Sequence, residues 1–452
     1  MTEEDVTNWM YKEAAARLEK TCGMGDMENA LTLVSKDVCR QALVRMTQES
    51  ADKQAFVCNK CNKKLNIIDN NRKRIVKSLF GKISFKRRYG LCKECCNYSA
   101  PVDALLGLQE HAQASPRIQE ICALTALRAP AGQAESDIQR LTGIELCSST
   151  IHREARRQGE RALALRDADE LLTQTPEGVV ELANRATVPG KPFTLIIEID
   201  AWHIRERDNW GKTETLKKCG EDTKRWHWVY TGTVFRLDQR GENASGRPII
   251  SERGYVATRK GIEGFRRQLY AEALQRGMLK AEKILILADG AIWIWNIATD
   301  RFKKATQRVD LYHVREHLWD LAAQLHGKGS DEAEQWVRPY IRWLKNRKNG
   351  AIDVIESLQE IDSHIYSEEQ QKVLKREINY FKTHENRMDY KEGKSAGEPV
   401  GSGAIESTCS QYQRRFKLTG QFWSLAGDEA FLALSTIHRN NRWYQLFQYD
   451  LQ

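Results

Sequence analysis

The chain has no apolar run near the roughly 20 residues that a membrane-crossing helix needs; its longest apolar runs are strand-length. That pattern excludes a transmembrane helix, so no membrane partner is expected. The opening residues, MTEEDVTNWMYKEAAARLEK, are acidic and amphipathic. They lack the basic end and apolar stretch of a secretory signal, which points to an intracellular, cytoplasmic protein. Internal repeats and low-complexity tails are also missing. So is an even set of cysteines: there are 11, and an odd count in an intracellular chain argues against a disulfide framework.

What is present is ordinary in amount and uneven in placement. The 452 residues suffice for about three domains, and 41% hydrophobic content supports a sizeable core. The formal charge is +9, from 70 Lys and Arg against 61 Asp and Glu. Such an excess is compatible with a polyanionic partner without requiring one. Residues 71–88, NRKRIVKSLFGKISFKRR, hold eight basic residues and no acid, and QRRFK at 413–417 is a second basic knot.

The chain divides by character. Residues 1–55 read as an amphipathic helical segment. Residues 56–110 are cysteine-paired and basic. Residues 115–170 are helical with one sharp turn, and 173–191 is linker-like, with two prolines and two glycines. From 190 to 314 the pattern is three strands, helix, strand, helix, strand, with strands in PFTLIIEIDAW, HWVYTGTVFRLD, RGYVATR, EKILILADG and RVDLYHV. Residues 315–394 form an α-helical insertion, and KEGKSAGEPVGSG at 391–403 reads as a loop. Residues 395–452 return to the sheet domain with a last helix begun by IESTCSQYQRRFK. In ILILADGAIWIWN, Trp293 and Trp295 begin the helix after the strand. Two residues apart, they diverge by about 200° around it, so at most one faces a cleft.

Cys58, Cys61, Cys92 and Cys95 form two C-x2-C pairs. Four thiolates on two knuckles suit tetrahedral Zn²⁺ in a closed, structural site. The strand-like segments around Gly81 would make the hairpin of a zinc ribbon. Cys96 is an alternative ligand to Cys95. The basic hairpin either lies on a phosphate backbone or is a solvated face.

In AESDIQRLTGIELCSSTIHREARRQ a helix stops at Gly143, where glycine tolerates the left-handed turn. Ile144 and Leu146 are placed to fill the angle, and Ser148 or Ser149 to cap a second helix over 150–159. A basic second helix after a tight turn is what a DNA-binding helix-turn-helix needs. Arg153, Arg156 and Arg157 are the candidate DNA contacts; the alternative is an ordinary helical hairpin.

Three acids stand at element ends. Asp200 ends the first strand of the sheet domain, Asp289 the fourth, and Glu406 starts the last helix. In this element order strands one and four can be neighbours, as in an RNase H-like fold. Two carboxylates side by side repel unless a cation sits between them. Mg²⁺ (or Mn²⁺) takes such oxygen ligands, and two ions can serve phosphodiester chemistry. Glu198 faces the same side of its strand as Asp200 and is the rival first ligand. Asp310 and His313 would stand at the rim as auxiliary residues.

DGAIWIWN, DLYHVREHLW and GSGAIEST…RRFKLTGQFWS together resemble prokaryotic insertion-sequence transposases of the DDE class, in the Kra-type group related to Mutator-like enzymes. The resemblance covers about 191–442. It implies an RNase H-like mixed-sheet core with an all-α insertion before the final Glu, preceded here by the zinc ribbon and the helix-turn-helix: an α+β multidomain protein. It implies Asp200, Asp289 and Glu406 as the metal-binding catalytic triad. It implies Mg²⁺-dependent cleavage of element ends, then attack of the freed 3′-OH on target DNA. The partners implied are double-stranded DNA, as element ends and target, and a second copy of the chain, so a dimer or higher on DNA, at the nucleoid. Arg414, Arg415 and Lys417, on the helix begun by Glu406, are expected near the DNA backbone. The rival functions are an RNase H-like nuclease or resolvase without strand transfer, and a domesticated, non-catalytic DNA-binding protein.

Overall fold

The computed structural model describes residues 2–18, 22–207, 215, 218–219 and 225–448. It divides into two compact units, 1–158 with 447–452, and 159–446.

In the first unit α1 (Glu3–Ala15) begins with a reciprocal cap. Asp5 N–H donates to Thr2 Oγ1 at 3.2 Å and Thr2 N–H to Asp5 Oδ2 at 2.8 Å, which satisfies two otherwise orphaned donors. The long helix α2 (Met24–Lys53) lays Leu43, Val44 and Ala51 on Val76, Ile83 and Phe85. Those three belong to an antiparallel hairpin, β1 (Asn66–Ser78) and β2 (Gly81–Cys92). Pairing closes at Ser78 and Gly81, and Gly81 takes φ +106°, a conformation that side chains disfavour. A short β3 (Asn97–Ser99) adds to β2. Three helices follow, α3 (Pro101–Leu105), α4 (Pro116–Ala126) and α5 (Ala131–Thr142). The next, α6 (Ser148–Leu172), runs well past the expected end near Gly159. Gly159 is interior because a Cβ there would meet the backbone oxygen of Ala430 at 2.6 Å; the glycine serves packing, not termination.

The second unit continues with α7 (Pro176–Asn184), in the stretch expected to be a linker. Thr175 Oγ1 accepts from Gly178 N–H at 3.1 Å, Pro176 occupies the first turn, and Leu182 is fully buried. The prolines and glycines mark the ends of a helix, not its absence.

The sheet is built from β4 (Thr194–Arg205), β5 (Trp226–Arg236), β8 (Gly254–Thr258), β9 (Lys283–Ala288) and β10 (Thr306–Val309), in the order β10-β9-β4-β5-β8. A small hairpin, β6 (Arg240–Glu242) and β7 (Pro248–Ile250), interrupts the meander; its three-residue strands were too short to read from pattern. β4, β5 and β8 are antiparallel, while β9 lies parallel to β4 and β10 parallel to β9. The expected succession of strands and helices is found, with α8 (Gly261–Gln275) and α9 (Ile292–Arg301) as the crossovers. Strands one and four are neighbours. The ILIL of β9 sits inside the sheet, as a continuous apolar run should. Ile197 and Ile199 of β4 pack in one core with Val234, Phe265 and Leu269.

Residues 315–384 are largely helical as expected, in α10 (Leu311–His326), α11 (Asp331–Asn346), α12 (Gly350–Gln359) and α13 (Glu368–His384). The expected strand RVDLYHV is strand only to Val309, because Asp310 caps the helix that takes in the rest. The expected loop after them contains α14 (Tyr390–Ser395), whose Tyr390 is fully buried and donates to the Val309 carbonyl at 3.1 Å. α15 (Gly403–Phe416) is not the last helix; α16 (Leu425–Arg439) follows, with Gly427–Ser435 buried. No described helix is long and apolar enough to cross a membrane.

Candidate active site and metal centre

The register of β4 on β9 sets the geometry. Ile199 pairs with Ala288 in parallel, so the next residues, Asp200 and Asp289, stand at the same level. Asp289 follows the end of β9, but Asp200, expected to end its strand, lies inside β4, which runs on to Arg205 because β5 continues to pair with it, Thr231 opposite Asp200. Neighbouring strands lie about 4.8 Å apart. Both acids are half-buried. Burial chiefly, with the Asp289 charge adding, raises the Asp200 carboxyl above its ordinary range. Asp289 Oδ1 accepts from Ala291 N–H at 3.0 Å, closing the turn into α9. Gly290 has φ +102°, and a Cβ on it would come within 3.2 Å of the Tyr380 hydroxyl.

One face of β4, carrying Glu198, Asp200 and Trp202, receives α15. Glu198 is buried and accepts from Ile405 N–H at 2.8 Å. Cys409 Sγ donates to Asp200 Oδ2 at 3.5 Å, and Phe416 packs on Trp202 with ring centroids 6.2 Å apart. Spacing of two on the strand meets helical spacing on α15, so Glu406 is delivered beside Ile405 in the first turn. Its carboxyl is raised by burial, then by the charges of Asp310 and Asp200. Glu198, the rival ligand, is instead committed to the helix backbone. Desolvation outweighs that bond and pushes its carboxyl up to about 8.

Asp310 is fully buried. It caps α10 by accepting from Tyr312 N–H and His313 N–H, and it also takes the N–H and hydroxyl of Ser402. It therefore ties the end of β10 to the start of α15. His313 Nδ1 lies 3.9 Å from Asp310 Oδ1; that partner, with Asp289 adding, raises the imidazole to about 9 despite burial. Asp310 is thus a buried brace and not a residue of the rim, and His313, half-buried, lies beside it.

Sequence reasoning missed the wall behind Asp289. Tyr380 and His384 of α13 press on Gly290, and the buried Tyr380 hydroxyl has no hydrogen-bond partner among the described residues. Burial, then the Arg387 charge, lowers His384 to about 4. The two tryptophans both face inward: Trp293 meets Tyr230 edge-on at 5.1 Å, and Trp295 is buried near His384 at 6.3 Å. The helical offset of 405 and 409 from Glu406 was the one available signal for Cys409; nothing local announced Tyr380.

In the first unit the ligand atoms of Cys58, Cys61, Cys92 and Cys95 all lie within 4.8 Å of one another. The set could bind a metal such as zinc. Backbone N–H groups of Cys61 and Lys60 lower the Cys58 thiol to about 7. The neighbouring Cys61 thiol, then burial, raises Cys95 to about 12. Four thiols this close cannot all ionise unless a cation offsets their charge. Cys96, the alternative ligand, is exposed, left-handed at φ 49°, and turned to the Lys93 carbonyl. Asp200, Asp289 and Glu406 do not form a comparably tight group among the described residues. Their donors, hard oxygens from three elements, still suit a hard divalent cation.

The helical hairpin has its turn as expected: Gly143 is left-handed at φ 62°, and Ile144 and Leu146 are buried. The cap on α6 is Cys147, not Ser148 or Ser149. Hydrogen bonds from Ser149, Thr150 and the Thr150 N–H lower its thiol to about 7. Arg153 and Arg156 are exposed and Arg157 is half-buried; the fully buried Glu154 pairs with Arg157 at 2.8 Å and with Arg153 at 3.4 Å. On the basic hairpin Arg74, Arg87 and Arg88 are used internally, by Ala112 O, Asp103 and Gln54 O. Its exposed cations are Arg72, Lys73, Lys82 and Lys86. On α15, Arg414 is exposed, as is Lys417 just beyond, but Arg415 is buried against Trp423 and Phe431, which lowers it to about 10. It is not part of that helix's basic surface.

No curated protein matches the chain. A family model does, over residues 17–445, nearly its whole length, and the chain belongs to that family, described as Uncharacterised protein family (UPF0236).

Proposed function

We propose that this chain is a DNA transposase of the DDE class with an RNase H-like catalytic core. The observation that carries the reading is the β4–β9 register, which levels Asp200 with Asp289, while α15, held on the same strand face through Ile405 and Cys409, carries the exposed Glu406 in its first turn. The sheet order, three antiparallel strands followed by two parallel ones on the far side of the first, supports the RNase H-like part. Asp200, Asp289 and Glu406 would hold two Mg²⁺ or Mn²⁺ ions. Such ions, when bound, activate the attacking oxygen and stabilise the leaving one in phosphodiester chemistry. The chain's own work is positioning. Glu198 and Asp310 fix the start of α15, and the Cys409 thiol orients Asp200.

Arg414 and Lys417 offer cations to a DNA backbone beside the site, and Arg153 and Arg156 offer them on the helical hairpin. The hairpin is read as the helix-turn-helix, and the cysteine cluster with its hairpin as a zinc ribbon; both suit recognition of element ends. Two ends must be joined together, so the active form is at least a dimer on double-stranded DNA, at the nucleoid. The test is incubation of the protein with Mg²⁺, an element-end duplex and a supercoiled target. Transposition gives joined product. Cleavage with no joining assigns a nuclease or resolvase instead, and unchanged excision in cells carrying Asp289→Asn assigns a non-catalytic DNA-binding role.

A further inference from the structure

Two cavities in the second unit run into each other. One, of about 550 Å³, is lined by Ser407 and Gly403 of α15, by Glu198, and by Arg240 and Arg253. The other, of about 390 Å³, is lined by Arg253 again and by Arg185, Arg236, Arg276, Arg439 and Arg442. Phe235, Ile250 and Arg253 belong to both walls, so the two make one groove. Its lining holds seven arginines (two in the first cavity, six in the second, Arg253 shared) against three acids, Glu198, Glu242 and Glu252.

Four of the seven are matched by carboxylates: Arg276 and Arg442 by Glu272, Arg236 by Asp238, and Arg185 by Asp169 and Glu181. Arg240, Arg253 and Arg439 make no ion pair with a carboxylate among the described residues. Arg253 is held by Ala404 O and Thr408 Oγ1, Arg439 by Gln411 and Ser435, and the exposed Arg240 only by Gly397 O at 3.5 Å. Arg253 Nε is buried with no hydrogen-bond partner among the described residues. The groove thus starts at the residue after Glu406 and leads to the opposite end of the sheet, where Arg236 pairs with Leu195. From there to Asp200 is five residues of strand, about 17 Å, on the order of five nucleotides at 3.4 Å each.

We propose that this groove holds a phosphodiester backbone, leading one DNA strand away from the carboxylates toward the N-terminal end of β4. The proposal rests on the catalytic reading only for the location of the cut. Its chemistry is that of guanidinium forks on phosphate oxygens.

The test uses the full chain without divalent metal and a 30-bp duplex, with binding measured by fluorescence anisotropy across a salt series. Arg240→Gln should lower the slope of log K against log salt by about 1, and Arg240→Gln with Arg439→Gln by about 2, since each phosphate contact contributes about 0.9. If the double variant melts early, Arg240→Gln alone decides. Unchanged slopes overturn the proposal. So does binding of inorganic pyrophosphate that depends on Arg240 while the duplex slope does not, which makes the groove a small-anion site. Backbone protection mapped about three to six nucleotides from the cut supports it. A wild-type chain that binds with an Arg240-dependent slope but never cleaves with Mg²⁺ removes the catalytic reading and leaves the groove. Cleavage with slopes indifferent to Arg240 does the reverse.

Discussion

The two donor sets differ in how the chain brings them together. The cysteines come from two short knuckles joined by one hairpin, and their sulfurs converge as a closed group. The carboxylates come from the middle of one strand, the end of another and a helix start, separated by 89 and 117 residues of sequence (289 − 200; 406 − 289). They converge on a level and not to a point. A local set can close completely because one hairpin fixes it, which suits a metal that serves folding. A set assembled from remote elements stays open toward solvent, which suits chemistry on a large substrate. The comparison also separates what each site depends on: the first on its own ligands, the second on the buried groups that hold its elements.

The largest effect expected is at the open set. Asp289→Asn should reduce Mg²⁺-dependent DNA cleavage by more than about 100-fold, because even an outer partner of a metal ligand is worth 10–100-fold. The melting temperature should hardly move; a variant that cleaves plasmid at the wild-type rate would sink the assignment. Next comes the closed set. Cys58→Ser should drop zinc from one per chain to none and strip hydrogen-exchange protection from β1 and β2, since structural zinc contributes on the order of 10 kcal/mol to folding. Metal analysis of the wild type giving well under one zinc per chain would end the claim.

A smaller effect tests the dependence of the open set on its braces. Glu198→Ala leaves Ile405 N–H without its acceptor, a loss of roughly 1–3 kcal/mol. We expect about a tenfold fall in turnover, and Glu198→Gln, which keeps an acceptor, to recover most of it. Equal loss in both variants would mean that Glu198 itself binds metal.

The smallest effect is in the wall behind Asp289. The folded pKa of His384, about 4, lies below the ordinary 6.5, so the fold prefers the neutral ring. That contribution is present above pH 6.5 and is lost as pH falls from 6.5 through 4. His384→Gln should therefore narrow its stability gap to the wild type across that window. A gap that stays constant from pH 7 to 4 would show that the ring is not held neutral.

Much of this was legible in the chain because it rests on local pattern. ILILADG announces a buried strand ending in an acid, the C-x2-C pairs announce a metal site, and Thr142-Gly143 announces a turn. The misreadings share one cause. Pro176 and Gly178 looked like a linker because turn residues bound helices as well as replace them. Arg415 looked like its neighbour Arg414, since nothing local says which face of α15 will be covered by Trp423. Tyr380 and the arginine groove were illegible because their members meet only after folding: Arg240, Arg253 and Arg439 span 199 residues (439 − 240).

The pairing of Ile199 with Ala288 has a genetic consequence. Side chains alternate along a strand, so one residue added or deleted within 194–199 turns Asp200 toward the core or shifts it off the level of Asp289. Adding two residues keeps the face and changes only the height. Short in-frame lesions in this stretch should thus be judged by parity: single-codon changes null, and double-codon changes the ones a second mutation can rescue.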